Sequence, residues 1–139
     1  LLLEAGAAVN QAEENGATPL LIACQKGRLD IVRLLIEAGA AGCHAPDDGV
    51  MPLYIACQQG HVACAQLLLE AGAAMNQAPN HGTTPLFIAC QQGHLECAQL
   101  LLEAGAAMNQ APNHGTTPLF IACQKGHLEC AQLLLEAGA

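Results

Sequence analysis

The string PNHGTTPLFIACQ occupies residues 79–91 and returns unchanged at 112–124. A catalytic loop has little reason to appear twice, whereas a chain assembled from stacked copies of one unit must repeat itself. LLLEAGA stands at 1, 67, 100 and 133, with LLIEAGA at 34; TPL begins at 18, 84 and 117, with MPL at 51. Every step is 33 residues. This self-similarity divides the chain into 1–12, the end of an incomplete unit, then 13–45, 46–78, 79–111 and 112–139, the last without its full hairpin. Over their shared length the third and fourth units differ only at Gln92 against Lys125.

Each unit reads as two short helices and an extended linker. Thr84 is suited to cap the first helix, and Pro85 to its opening position, where the missing N–H would have had no partner. LFIACQQ then runs to Gly93, a helix terminator. HLECAQLLLEA places Leu95, Ala98, Leu101 and Leu102 at helical spacing, with Glu96 in the first turn, where its charge complements the dipole. Gly105 closes this helix, and AAMNQAPNHG reads as a hairpin leading to the next Thr-Pro. The expected fold class is an all-α repeat solenoid of helix pairs joined by hairpin turns. One unit has nothing to bury its apolar stripe against, but its neighbour supplies the cover.

Composition narrows the function. The 139 residues are 53% hydrophobic but only 2% aromatic, so the core is built from leucine and small side chains. A net charge of -8 with only four Lys and Arg excludes a nucleic-acid groove and disfavours anionic membranes. Glu interrupts every Leu-rich stretch before it reaches the roughly 18 apolar residues of a membrane span. The opening LLLEAGAAVN lacks the basic flank and long apolar segment of a signal peptide. Without an initiator Met, the sequence is expected to be a piece of something longer or a designed scaffold.

Neither catalytic nor cofactor chemistry stands out. The carboxylates Glu37, Glu70, Glu103 and Glu136 recur at one place in the unit, preceded by Glu4. Acid–base catalysis needs two carboxylates in different environments, the opposite of a periodic row. No nucleophile–base constellation or phosphate loop appears, so an enzyme is not expected, and no cofactor is assigned.

Of the eight cysteines, seven fall at two equivalent helical positions, and Cys43 stands apart. Equivalent cysteines of adjacent units should lie about 8–10 Å apart, too far for a disulfide, which needs Cα atoms within about 7 Å. Cys57 and Cys64, Cys90 and Cys97, and Cys123 and Cys130 flank the inter-helix turn of one unit and have a route to approach. Their spacing matches no zinc motif. Core packing in a reducing compartment is the reading adopted, with an intracellular, cytoplasmic setting. His44 beside Cys43, Asp47 and Asp48 has ligand chemistry but no ligand spacing, and no metal site is assigned.

The 33-residue unit with G-T-TPL-x-x-A in its first helix, GH between helices and LLLEAGA in its second resembles the ankyrin repeat, over essentially the whole chain. There are departures. The family's usual His after Thr-Pro-Leu is Leu21, Tyr54, Phe87 or Phe120 here, and the second small residue of its Ala-Ala is Cys24, Cys57, Cys90 or Cys123. Where a branched aliphatic is common in the second helix stand Cys64, Cys97 and Cys130, with Ile31 conforming. The resemblance implies a structural role for His61, His94 and His127 after the inter-helix glycine. It also implies a turn-stabilising role for Asn10, Asn76 and Asn109, a position hydroxylated in some members.

The resemblance further implies a partner surface made of hairpin tips and the exposed face of the first helices. On this chain it comprises Asp47, Asp48, Gln58, Gln59, Asn80, His81, Thr83, Gln91, Gln92, Asn113, His114, Thr116, Gln124 and Lys125. The first unit adds Glu14, Asn15, Ala17, Gln25, Lys26, and the second adds Val50. The expected function is a non-enzymatic protein–protein interaction module, the partner another protein or peptide rather than nucleic acid or membrane. A structural or consensus-like scaffold is the alternative. The uncapped apolar ends should also let copies stack end to end.

Overall fold

The computed structural model describes residues 19–38, 52–72, 83–109 and 115–139, and these form eight α-helices. They are α1 (Pro19–Lys26), α2 (Leu29–Glu37), α3 (Pro52–Gln59), α4 (Val62–Glu70), α5 (Pro85–Gln92), α6 (Leu95–Glu103), α7 (Pro118–Lys125) and α8 (Leu128–Glu136). The first helices start at 19, 52, 85 and 118, so the 33-residue period of the sequence is also the period of the backbone. No strand occurs among the described residues, and the expected hairpins fall largely outside them. The stretch 104–109 after α6 is turn and irregular chain.

Local chemistry sets the helix ends. Thr84 and Thr117 are extended N-caps whose hydroxyls accept from the backbone N–H of Phe87 and Phe120, each at 3.2 Å. The first helices end at glycines in the left-handed region, Gly93 at φ 76° and Gly126 at φ 77°. Around Gly93 the His94 N–H donates to the Ala89 carbonyl at 2.9 Å, and the Gly93 N–H to the Cys90 carbonyl at 3.3 Å. This pairing satisfies the orphan carbonyls at the helix end and reverses the chain within two residues. The same two bonds recur at Gly27, Gly60 and Gly126.

Packing runs along two rows. α1, α3, α5 and α7 stack on one another, as do α2, α4, α6 and α8, with closer contact in the first row. The fully buried Leu20, Leu53, Leu68, Leu86, Leu101 and Leu134 form one continuous core. What a neighbour contributes is visible in residues that occur both with and without one. Phe87, covered by the next pair, is 3% exposed, whereas its counterpart Phe120 is 58% exposed. For a side chain that buries about 200 Å², covering it contributes roughly 2–3 kcal/mol. Leu128 and Leu135 are likewise exposed, while the equivalent Leu95 and Leu102 are half-buried against the core.

The two caps differ in their surroundings. Thr84 is fully buried, while Thr117 retains access to solvent. Thr84→Ala is therefore expected to cost about 1–2 kcal/mol and Thr117→Ala about 0.5–1 kcal/mol, measured as the difference in urea unfolding midpoints.

Candidate functional site

The ends of the first helices carry the expected partner surface. Leu86, Phe87, Ile88, Ala89 and Cys90 of α5 are all buried, and the helix then closes with half-buried Gln91 and exposed Gln92. The other first helices end alike, in exposed Gln25 and Lys26, in half-buried Gln58 with exposed Gln59, and in exposed Gln124 and Lys125. Stacking sets these ends side by side at about 10 Å intervals. The result is a periodic strip of amides with a lysine near each end. Thr83 and Thr116 are half-buried ahead of α5 and α7. Asp47, Asp48, Asn80, His81, Asn113 and His114 lie outside the described residues, as do Glu14, Asn15, Ala17 and Val50.

The strip is held in register by the histidines that follow the inter-helix glycines. His94 Nε2 lies 3.1 Å from the carbonyl oxygen of Gln58, and His127 Nε2 lies 3.1 Å from that of Gln91. A carbonyl only accepts, so each ring carries its proton on Nε2 and donates. The same rings sit over glycines of the preceding pair. A Cβ built on Gly60 would lie 2.8 Å from the His94 ring, and one on Gly93 would lie 2.7 Å from that of His127. His61 covers Gly27 in the same way. Glycine is thus required twice over at these turns, by its positive φ and by the ring against it. The backbone of Gln58 and Gln91 anchors the neighbouring pair, while their amides remain on the strip.

Two shallow grooves lie between successive turns. One, of about 350 Å³, is lined by Gly60, Val62, Gly93, His94, Leu95, Glu96, Cys97 and Glu129. The other, of about 310 Å³, is lined by Gly93, Leu95, Gly126, His127, Leu128, Glu129 and Cys130. Sequence reasoning did not anticipate them, because they exist only between stacked units. The acidic row Glu37, Glu70, Glu103 and Glu136 is exposed at the ends of the second helices, as expected of a solvated face. Among the described residues no group of three or more potential metal ligands converges. No helix there is long and apolar enough to cross a membrane.

The cysteines meet differently from the within-unit approach the sequence suggested. Cys57 of α3 is hydrogen-bonded to Cys97 of α6, and Cys90 of α5 to Cys130 of α8. Cys24 of α1 feels the charge of Cys64 on α4. All six are buried, and only Cys123 among the described thiols is exposed. Burial pushes the Cys24 and Cys90 thiols up to about 12. Cys97 is held below its ordinary range by the hydrogen bond from Cys57, against the opposing effects of burial and of Glu96.

The register contacts yield a graded expectation. Nothing lies within 4 Å of a Cβ built on Gly126, so Gly126→Ala should cost only the left-handed strain, about 1–2 kcal/mol. Gly93→Ala should cost about 1 kcal/mol more through the lost His127 hydrogen bond. Urea denaturation of the two variants checks the difference.

A family model described as ankyrin repeats (3 copies) matches residues 1–79 and 73–139. The chain is also similar to ankyrin repeat domain-containing protein 63 of Homo sapiens and of Mus musculus. In each case 59% of 34 residues are identical, which is 24% of this chain and 9% of the relative. The match thus spans about one period here and a small fraction of either relative.

Proposed function

The chain belongs to the ankyrin repeat family, and from that membership we propose that it binds a protein or peptide along the amide strip and the hairpin tips beside it. Ankyrin repeats are generally protein–protein interaction modules and typically non-enzymatic. The observation that carries this reading is the fourfold recurrence of a glutamine, Gln25, Gln58, Gln91 and Gln124, followed by an exposed polar residue, Lys26, Gln59, Gln92 or Lys125, at the end of an otherwise apolar first helix. Amides donate and accept, so they suit a peptide backbone or polar side chains. Stacked helices hold them in place before binding and reduce the ordering cost. The proposed surface comprises Asp47, Asp48, Gln58, Gln59, Asn80, His81, Thr83, Gln91, Gln92, Asn113, His114, Thr116, Gln124 and Lys125. Its units are 13–45, 46–78, 79–111 and 112–139, and its proposed setting is cytoplasmic.

Charge refines the partner's chemistry. Between Cys43 and Thr117 there is no Lys or Arg, while Asp47, Asp48, Glu70, Glu96 and Glu103 all lie there. A polar segment carrying Lys or Arg complements the middle of the array, and opposite charge speeds its arrival. Binding is expected to weaken as salt rises.

The test is partner capture by the H81A/Q91A/Q92A/H114A variant. At least a tenfold loss of captured partner is expected with an unchanged urea midpoint, because the Gln91 carbonyl that holds His127 is retained. Undiminished capture would remove these residues from the surface. The alternative, a structural or designed scaffold with no dedicated partner, draws on the near-identity of the third and fourth units. Exposed Phe120, Leu128 and Leu135 further support end-to-end stacking of copies. Light scattering should then show a molar mass that rises with concentration, and a constant monomer mass would refute the stacking.

A further inference from the structure

The junctions between helix pairs bring together three features that stacking and partner binding do not use. Each of the two turn-side grooves has a cysteine in its wall, Cys97 in one and Cys130 in the other. Each of these thiols is hydrogen-bonded to a second thiol on the preceding pair, Cys57 or Cys90, and all four are buried, so the groove reaches the wall in which Cys97 or Cys130 stands without laying the sulfur open to solvent. Each contact also lies beside a fixed point. The His94–Gln58 bond ties the residue after Cys57 to the turn that launches α6, and the His127–Gln91 bond does the same for Cys90 and α8. A thiol bordering a groove and a resolving thiol behind it, held by the backbone on both sides, thus occur twice in the described chain.

We infer that Cys57–Cys97 and Cys90–Cys130 are oxidation sites, at which a small hydroperoxide entering the groove forms a disulfide between neighbouring helix pairs. In the first step the groove thiol, as thiolate, attacks the peroxide O–O bond. Its sulfur is oxidised to sulfenic acid, and the other peroxide oxygen leaves as alkoxide, or as hydroxide from hydrogen peroxide, and is protonated to the alcohol or to water. In the second step the second thiol attacks that sulfur and gives up its proton, and the S–O bond breaks to release water. Two thiols and one hydroperoxide become one disulfide, one water and the alcohol of the peroxide, or two waters when the oxidant is hydrogen peroxide.

The two junctions should react at different rates. Cys97 is favoured as nucleophile by the hydrogen bond it accepts from Cys57. Burial and the adjacent Glu129 disfavour the thiolate of Cys130.

The test treats the folded C43S/C123S protein with hydrogen peroxide, blocks free thiols and cleaves after glutamate without reduction. That cleavage separates 38–70, 71–96, 97–103 and 130–136. The expected products are 97–103 joined to 38–70 through Cys57, followed more slowly by 130–136 joined to 71–96, both released by dithiothreitol. Oxidation should raise the urea midpoint, and reduction should restore it. Cys97→Ala should abolish the first link and spare the second. Joining of 71–96 to 97–103 would show pairing within one unit and overturn the inference. So would survival of all four junction thiols in the folded protein under peroxide that oxidises them in urea. The map of the C43S/C123S protein decides the matter even if the alanine variant does not fold.

Discussion

None of the described helix pairs covers its own apolar flank. Phe87 and Phe120 lie in identical local sequences with nearly identical caps, yet one is buried and the other open to water. The difference is the presence of α7 against α5 and the lack of a described helix against α7. Stability in such a stack is a property of junctions more than of units. The apolar contact is non-directional and would tolerate sliding. The histidine over its glycine, bonded to a particular carbonyl, fixes the register that hydrophobic burial leaves loose.

Much of this arrangement was legible from the letters. Thr-Pro starts, glycine stops and the Leu spacing have local physical causes, so helix ends at Thr84, Gly93 and Gly105 follow from residues within a few positions of each other. The polar pair at the end of each first helix was legible for the same reason, since Gln91 and Gln92 follow a run of buried residues without a break. The histidines were assigned a structural role by resemblance. Their physical task, reaching back to the preceding pair, became clear only from the bonds to Gln58 and Gln91.

The thiol contacts were missed for a physical reason. Comparing units aligns each cysteine with its own copies and with its neighbour across one turn, which makes Cys57 and Cys64 look like partners. The contact that forms runs from a first helix to the second helix of the following pair, as in Cys57 with Cys97 and Cys90 with Cys130. Its separation is one period plus the seven residues across a turn, and Cys24 with Cys64 keeps the same interval. Adding those two intervals in the sequence would have exposed the pattern. Apart from Thr83 and Thr116, the hairpin-tip residues remain readable only as sequence, since they lie outside the described backbone.

The unequal closeness of the two helical rows has a mechanical consequence. A pile of wedges, thinner along one edge than the other, bends into an arc, and here the thin edge is the row of first helices. The ends of the first helices, with their glutamines, therefore lie along the inner side of that arc.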